Sequence, residues 1–572
     1  MVSFQHQPRR PVKIRALAAA LAALALAACT PTPVTAPPSQ AASQTVPPGS
    51  ASPVPTERTT PGPATASAAP SAGSRPLGWG PEQQDLDTAS AAVASMSTEE
   101  KAGQVLLPFF QGTDVASHAA VIERLHLAGA IIMGDNVPQS QGQVDTAAMT
   151  ATNRLLSQAT QADGDSWPGL IGVDQEGGIV ARLGAPLTEW PTPMSLGAAG
   201  STPLASEAGS GIAAELAPLG YTVDFAPDTD VTIGPQDPTI GSRSISTDPD
   251  VVATLGMAFS QGMLKAGVLP VVKHFPGHGS VTTDSHLALP VQPASVDELK
   301  ARDWKPFAAA AAAGAPMMMT GHIAVPAMEP GVPASLSAPT YAALRGLGFK
   351  GVTVTDALNM EAVDQQYPAG AAAVKALAAG ADLLLMPADV DQAHAGIVQA
   401  VASGALPAQR LAEAARQVVT MMVWRGRTAA TPGAAPGAGA ALSAKISSAA
   451  VTVVAGPCSG PLVPNAVRVS GGGPGDKARF EAAAARAGLA IGSGPLVNLI
   501  GYGGQPSGGD IAVSLDAPWS LQGSTAPIQL AAYGRSDGAF DAVAAVLAGK
   551  ATAPGKLPAA VGPHPAGTGC AS

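Results

Sequence analysis

Between Lys273 and His286 the chain sets three imidazoles (His274, His278, His286), one ammonium (Lys273) and one carboxylate (Asp284) within fourteen residues. So dense a polar cluster implies a reaction or a bound ligand. His274, His278 and His286 with Asp284 offer enough nitrogen and oxygen atoms for zinc. Pro276 and Gly277, however, fall inside the interval from His274 to His278 and disfavour the helix that would present both rings on one face, so no metal is expected. One histidine beside an apolar run is commonly a hydrogen-bonded core residue, but three within thirteen positions point to chemistry. A separate carboxylate, Asp356, follows the run Gly351-Val352-Thr353-Val354-Thr355. It suits either a nucleophile or the N-cap of a following helix.

Such groups need elements that hold them. Val268-Leu269-Pro270-Val271-Val272 is apolar and β-branched, as expected of a strand buried on both faces of a parallel sheet. Eight comparable runs occur at 105–110, 130–133, 169–173, 222–226, 268–273, 316–320, 351–355 and 382–386. Helical patterns lie between them, for example at 117–127, 148–161, 204–217, 250–266 and 296–313. Eight β-α repeats predict a (β/α)8 TIM barrel over 77–427. Barrel active sites gather at the carboxyl ends of the strands. The polar residues obey that rule: Asp174 to Glu176 follow the third run, Asp228 and Asp230 the fourth, Lys273 to His286 the fifth, His322 the sixth and Asp356 the seventh.

The rest of the 572 residues divides by composition. Residues 1–28 carry Arg9, Arg10, Lys13 and Arg15 with no acid, then an Ala/Leu run, then small residues directly before Cys29. This pattern predicts a lipoprotein signal peptide, with lipid on Cys29 and the protein anchored outside the cytoplasmic membrane of a bacterial envelope. Residues 29–76, rich in Pro, Ser, Thr and Ala, predict a disordered tether. A second Ala/Pro/Gly stretch at 428–444 reads as a linker, and 445–572 as a smaller α/β domain. Gly471-Gly472-Gly473-Pro474-Gly475 lacks the Lys-Ser/Thr of a P-loop and reads as a turn. With 31 basic and 41 acidic residues the net charge is −10, and it becomes −14 once the four bases of 1–28 are removed. Nucleic acid and anionic lipid are therefore excluded as charge-driven partners. If Cys29 carries lipid, Cys458 and Cys570 remain as an even pair in an exported protein, consistent with a disulfide or with two buried thiols.

Lys273-His274-Phe275-Pro276-Gly277-His278-Gly279 with Asp284-Ser285-His286 resembles the signature of family 3 glycoside hydrolases, in the β-N-acetylglucosaminidase branch. The segment Thr355-Asp356-Ala357-Leu358-Asn359-Met360 resembles the nucleophile motif of the same family, in the family's order. The resemblance implies a TIM barrel, and the ending 549–558 resembles the close of the sandwich-like α/β domain of two-domain members. It implies an exo-acting, retaining β-N-acetylhexosaminidase that removes terminal N-acetylglucosamine from peptidoglycan-derived glycans or muropeptides. In that mechanism Asp356 is the nucleophile, His286 the general acid/base, and Asp284 orients His286. Asp174, Arg243, Lys273 and His274 match the positions that bind the terminal sugar. His278, between Gly277 and Gly279, is expected to organise the loop by hydrogen bonds rather than to touch substrate. Ile179 stands where the family usually has Arg, with Arg182 retained three positions on, and Ile245 stands where it often has an aromatic residue.

The implied enzyme needs no cofactor and is expected to be a monomer that meets the membrane only through its lipid. A neutral imidazole base would also admit phosphate, where a carboxylate would repel it, so phosphorolysis is a further expectation to test. The nearer alternative is a β-glucosidase or β-xylosidase of the superfamily, which would leave Asp284 and His286 without a role. The alternative from another class is a non-catalytic sugar-binding lipoprotein, whose mark would be loss of Asp356 or His286.

Overall fold

A computed structural model describes residues 75–428, 433–506 and 508–571. The expected signal peptide, Cys29 and nearly all of the expected tether lie outside the described residues. The described chain falls within one compact unit, Ser74–Ser572. Among the described residues no helix is long and apolar enough to cross a membrane.

The eight apolar runs coincide with eight parallel strands: β1 (Leu106–Leu107), β2 (Gly129–Ile132), β3 (Leu170–Val173), β4 (Val223–Asp224), β5 (Leu269–Phe275), β6 (Met317–Thr320), β7 (Val352–Thr355) and β8 (Leu384–Leu385). Strands β2 to β7 form one sheet in chain order, and β1 pairs with β8. Val354 bridges to Leu383 between β7 and β8, and Ile131 N–H donates to Pro108 O beside β1. The result is a curled parallel sheet that resembles a TIM barrel. Every residue of β5 is buried, which is why this strand tolerates no alternation of polar and apolar positions.

Helices cover the sheet for reasons legible in their residues. The helix Pro249–Lys265 has Asp248 as N-cap, accepting from the Asp250 N–H, and Pro249 in its first turn, where a missing N–H is harmless. Its Val252, Leu255, Phe259 and Met263 recur at helical spacing and are all buried. Burial of four such side chains contributes roughly 6–12 kcal/mol before entropy is counted. The stretch 296–313, expected as one helix, is two: Val296–Ala301 and Lys305–Ala312. Pro306 lacks the N–H that would bond the Arg302 carbonyl and its ring clashes there, so the helix breaks at Arg302.

Beyond 440 a second sheet forms from β9 (Thr452–Ala455), β10 (Ala466–Gly471), β11 (Ala490–Ile500), β12 (Ile511–Ser514) and β13 (Ile528–Ala531). Its order is β9-β13-β12-β11-β10, with only β9 antiparallel. One face is covered by the helices Asp476–Arg486 and Asp537–Leu547, whose Phe480 and Phe540 rings meet edge to face. The other face buries Val454, Ile500, Ala531 and Tyr533 against Met194 and Ala198 of the first sheet's surround. Gly472 to Gly475 form the turn from β10 into its helix. Residues 433–439 carry no helix or strand, and the helix Ala440–Ala450 begins within the stretch expected as a linker. The Cys458 and Cys570 sulfurs are bonded across a sequence separation of 112.

Candidate active site

Parallel strands send all their carboxyl ends to one side, and the polar residues noted in the sequence converge there. Lys273 and His274 are the third- and second-last residues of β5, Asp174 directly follows β3, Asp228 and Asp230 follow β4, His322 follows β6 and Asp356 follows β7.

At the centre is a buried charge network. Glu176 accepts from Arg243 at both oxygens (Nε 2.9 Å, Nη2 2.8 Å) and lies 2.7 Å from Lys273 Nζ. Asp174 receives Lys273 at 3.3 Å and Arg182 at 3.0 Å. Arg243 also approaches Asp228 Oδ2 at 3.3 Å. Burial opposes charge on Glu176, but Arg243 and Lys273 more than offset it and hold the carboxyl far below the usual carboxylate range. Burial likewise opposes the cationic forms of Lys273 and Arg243, and their carboxylate partners raise both, so each is charged at neutral pH. Two of the four sugar-binding candidates, Arg243 and Lys273, thus pair with Glu176, to which sequence reasoning assigned no role, and the third, Asp174, is held by Lys273 and Arg182.

The fourth, His274, is held by Asp230, with Nδ1 2.7 Å from Oδ2. Asp230 Oδ1 accepts the His278 N–H at 2.6 Å, and His278 Nε2 lies 2.8 Å from Ser285 Oγ. His278 therefore ties the base of the loop to its tip. Burial lowers His274 to about 4 and His278 to about 3, so both rings are neutral at physiological pH. Asp228, Asp230 and His274 can each bring one ligand atom within 4.8 Å of the others. That is a different set from the three histidines considered in the sequence, and Arg243 beside Asp228 opposes a cation there. Burial raises Asp228 well above the usual range and Asp230 to about 7.

Asp356 sits beside this network. Its backbone N–H donates to Thr320 O at 2.9 Å, and Oδ1 accepts the Ala357 N–H at 2.8 Å. His322 steadies the same turn, with Nε2 2.8 Å from Ala357 O and Nδ1 2.7 Å from Ser335 Oγ. No hydrogen bond among the described residues reaches Asp356 Oδ2. The N-cap alternative fails, because the next helix is Glu361–Asp364 and its cap is Met360. Burial would raise Asp356, but the imidazoles of His322 and His274, the Ala357 N–H and His286 bring it down to about 2. It is a carboxylate at any physiological pH.

His286 stands on the exposed tip of the loop after β5, with 57% of its side chain accessible. Asp284 Oδ1 accepts both its backbone N–H at 2.9 Å and its Nδ1 at 2.8 Å. Burial raises Asp284, and its bonds with His286 outweigh that and leave it ionised. His286 lies close enough to Asp356 and His322 to act on both electrostatically.

Comparison with known proteins agrees with this arrangement. Residues 97–421 match the glycosyl hydrolase family 3 N terminal domain. The chain is 36% identical over 285 residues to beta-hexosaminidase A of Pseudoalteromonas piscicida, a match that spans 47% of each. The chain thus covers about half the length of that relative. It is 32% identical over 342 residues to beta-hexosaminidase LpqI of Mycobacterium tuberculosis, covering 57% of this chain and 83% of LpqI. A family 3 beta-N-acetylglucosaminidase from Paenibacillus sp. str. FPU-7 superposes with a TM-score of 0.74 at 29% identity, over 82% of this chain and 99% of that one. The chain belongs to glycoside hydrolase family 3.

Proposed function

We propose that the protein is a retaining exo-β-N-acetylglucosaminidase acting on peptidoglycan-derived fragments. The observation that carries this reading is the presence, at one set of strand ends, of Asp356, an ionised carboxylate with one oxygen that no hydrogen bond among the described residues reaches, and a loop-borne His286 held by Asp284. In the first step Asp356 Oδ2 attacks the anomeric carbon as the glycosidic bond breaks, and imidazolium His286 gives its Nε2 proton to the departing oxygen. Asp284 stabilises the imidazolium through Nδ1–H. In the second step neutral His286 takes a proton from water, whose oxygen displaces Asp356 and restores the β configuration. Lys273, Arg243, Asp174 and His274 supply rigid donors and acceptors for the sugar hydroxyls, so little ordering entropy is lost on binding. The named relatives are β-hexosaminidases, which supports the same sugar here.

The wider organisation belongs to the same proposal. Residues 1–28 direct export, Cys29 carries lipid, 29–76 tether the enzyme to the envelope, and 77–427 and 445–572 act as a catalytic and a C-terminal domain joined at 428–444. Mass spectrometry of membrane-extracted protein and of a Cys29→Ser variant tests the anchor; a soluble wild-type protein without lipid contradicts it.

The activity is tested by initial rates on chromogenic β-N-acetylglucosaminide and β-glucoside, with Asp356→Ala beside the wild type. Turnover of the N-acetyl substrate alone, lost in the variant, is the expected result. Preference for the glucoside moves the protein to the neighbouring branch, and sugar binding without turnover identifies a binding lipoprotein.

A further inference from the structure

We infer that Tyr502, on the loop after β11 of the second sheet, lines the leaving-group side of the substrate site and selects for a second sugar ring. The inference deepens the proposed glycosidase reading and rests on it.

The placement comes from the topology. Strands β10 to β13 are parallel, so their following loops share one end of the sheet, the end at which open α/β sheets bind ligands. That end faces the first sheet's catalytic loops. Thr192 donates its N–H and hydroxyl to Tyr533 O at 2.8 and 3.0 Å, and a Cβ on Gly534 would lie 3.0 Å from Pro191. Two sets of carboxyl-end loops therefore meet beside the charge network.

Within that contact the backbone of Tyr502 is placed by a clamp of Asp516, Arg535 and Asp476. Its N–H donates to Asp516 Oδ2 at 3.0 Å. Asp516 is gripped by Arg535 through Nε and Nη2, and Arg535 spends Nη1 on Asp476. The phenol leans onto Gly241, where a Cβ would come within 2.8 Å of its oxygen. Gly241 has φ +54° and stands two residues before Arg243, so the close approach needs glycine twice over. The ring is half-buried, and no hydrogen bond among the described residues uses its hydroxyl.

Burial raises the Tyr502 phenol, and the charges of Asp237, Arg243, Asp516 and Asp284 all act on it. Its contact with Gly241 sets Tyr502 beside the turn that carries Arg243, which in the proposed reading faces the terminal sugar, and it lies within electrostatic reach of Asp284, which in that reading orients the group that protonates the leaving oxygen. The groups beyond that oxygen belong to the leaving sugar. A phenol offers an apolar face for a pyranose ring and a hydroxyl that both donates and accepts.

The test compares N,N′-diacetylchitobiose with methyl β-N-acetylglucosaminide, whose leaving group is too small to reach Tyr502. For Tyr502→Ala, kcat/KM on the disaccharide is expected to fall about 10- to 100-fold, mostly through KM, with less than a threefold change on the methyl glycoside. Tyr502→Phe separates the hydroxyl from the ring and preserves folding. Equal losses on both substrates, or no loss on either, overturn the inference. A wild type inert on both contradicts the glycosidase reading instead. Calorimetry then still reads the contact, because Tyr502→Ala must abolish the excess affinity for disaccharide over N-acetylglucosamine, and an unchanged excess overturns it.

Discussion

Replacing Glu176 with Gln should damage this protein more than any other single isosteric change at the site. Glu176 serves two buried cations at once, Arg243 through a bidentate pair and Lys273 at 2.7 Å. The variant leaves Arg243 with Asp228 at 3.3 Å and Lys273 with Asp174 at 3.3 Å. Removing one partner from a buried pair costs about 3–5 kcal/mol, because the remaining charge stays desolvated. Asp228 can moderate the loss by giving up its proton to become the partner of Arg243, which places the expectation near 3 rather than 5 kcal/mol. At an m value of roughly 3 kcal/mol/M this is a urea midpoint lowered by about 1 M.

The pH dependence gives the sign. The folded Glu176 carboxyl titrates below its unfolded value, so its contribution is complete above the unfolded value of about 4.3 and is lost as pH falls below that. The difference between wild type and variant should be insensitive to salt and should shrink below pH 4, where Glu176 is protonated in the unfolded wild type. Chemical denaturation followed by tryptophan fluorescence measures it. A midpoint within 0.2 M of wild type at pH 7 would refute the reasoning that the site is organised around this carboxylate.

Further expectations follow from the same geometry. Burial raises Asp224 to about 8, its Oδ1 accepts the Gln175 N–H and its Oδ2 has no hydrogen-bond partner among the described residues. The Asp224 contribution to stability should therefore fall as pH rises from about 4 to 8, and Asp224→Asn, which mimics the protonated form, should remove that component, so that the variant gains on wild type as pH rises in thermal melts. Asp284→Asn is expected to lower kcat by roughly 10²- to 10³-fold on sugar leaving groups and much less on activated aryl ones, as read by steady-state rates on a leaving-group series. Cys458→Ser should destabilise the second sheet by about 2–5 kcal/mol, and reductant should reproduce the loss in wild type but not in the variant.

The eight strands of the curled sheet were legible because each is a short run of buried apolar residues whose polar neighbours lie just past its carboxyl end. Asp356, Lys273 and His274 could be placed for that reason. Strand β10 was not legible, since Arg468 is exposed and Ser470 half-buried, and only Val467 and Val469 pack into the core. The division of 296–313 turned on Pro306, a local signal that the Ala-rich pattern around it concealed. Glu176 was visible as an acid after β3, but its role was not, because its partner Arg243 is 67 residues away in sequence. Asp230, which holds His274 and His278, is 44 and 48 residues from them. Tyr502 lies in a glycine-rich loop of another sheet, with no local signal of what it faces. What sequence reading reached is set by local patterns, and what it missed is set by contacts between distant strand ends.

In the proposed mechanism Asp356 Oδ2 is the atom that bonds to the sugar. A 5-fluoro N-acetylglucosaminyl fluoride should inactivate the enzyme with time, and peptide mass spectrometry should find one glycosyl adduct on the peptide containing Asp356, absent from Asp356→Ala. An adduct on another carboxylate, or turnover of the probe with inverted configuration and no adduct, would contradict it.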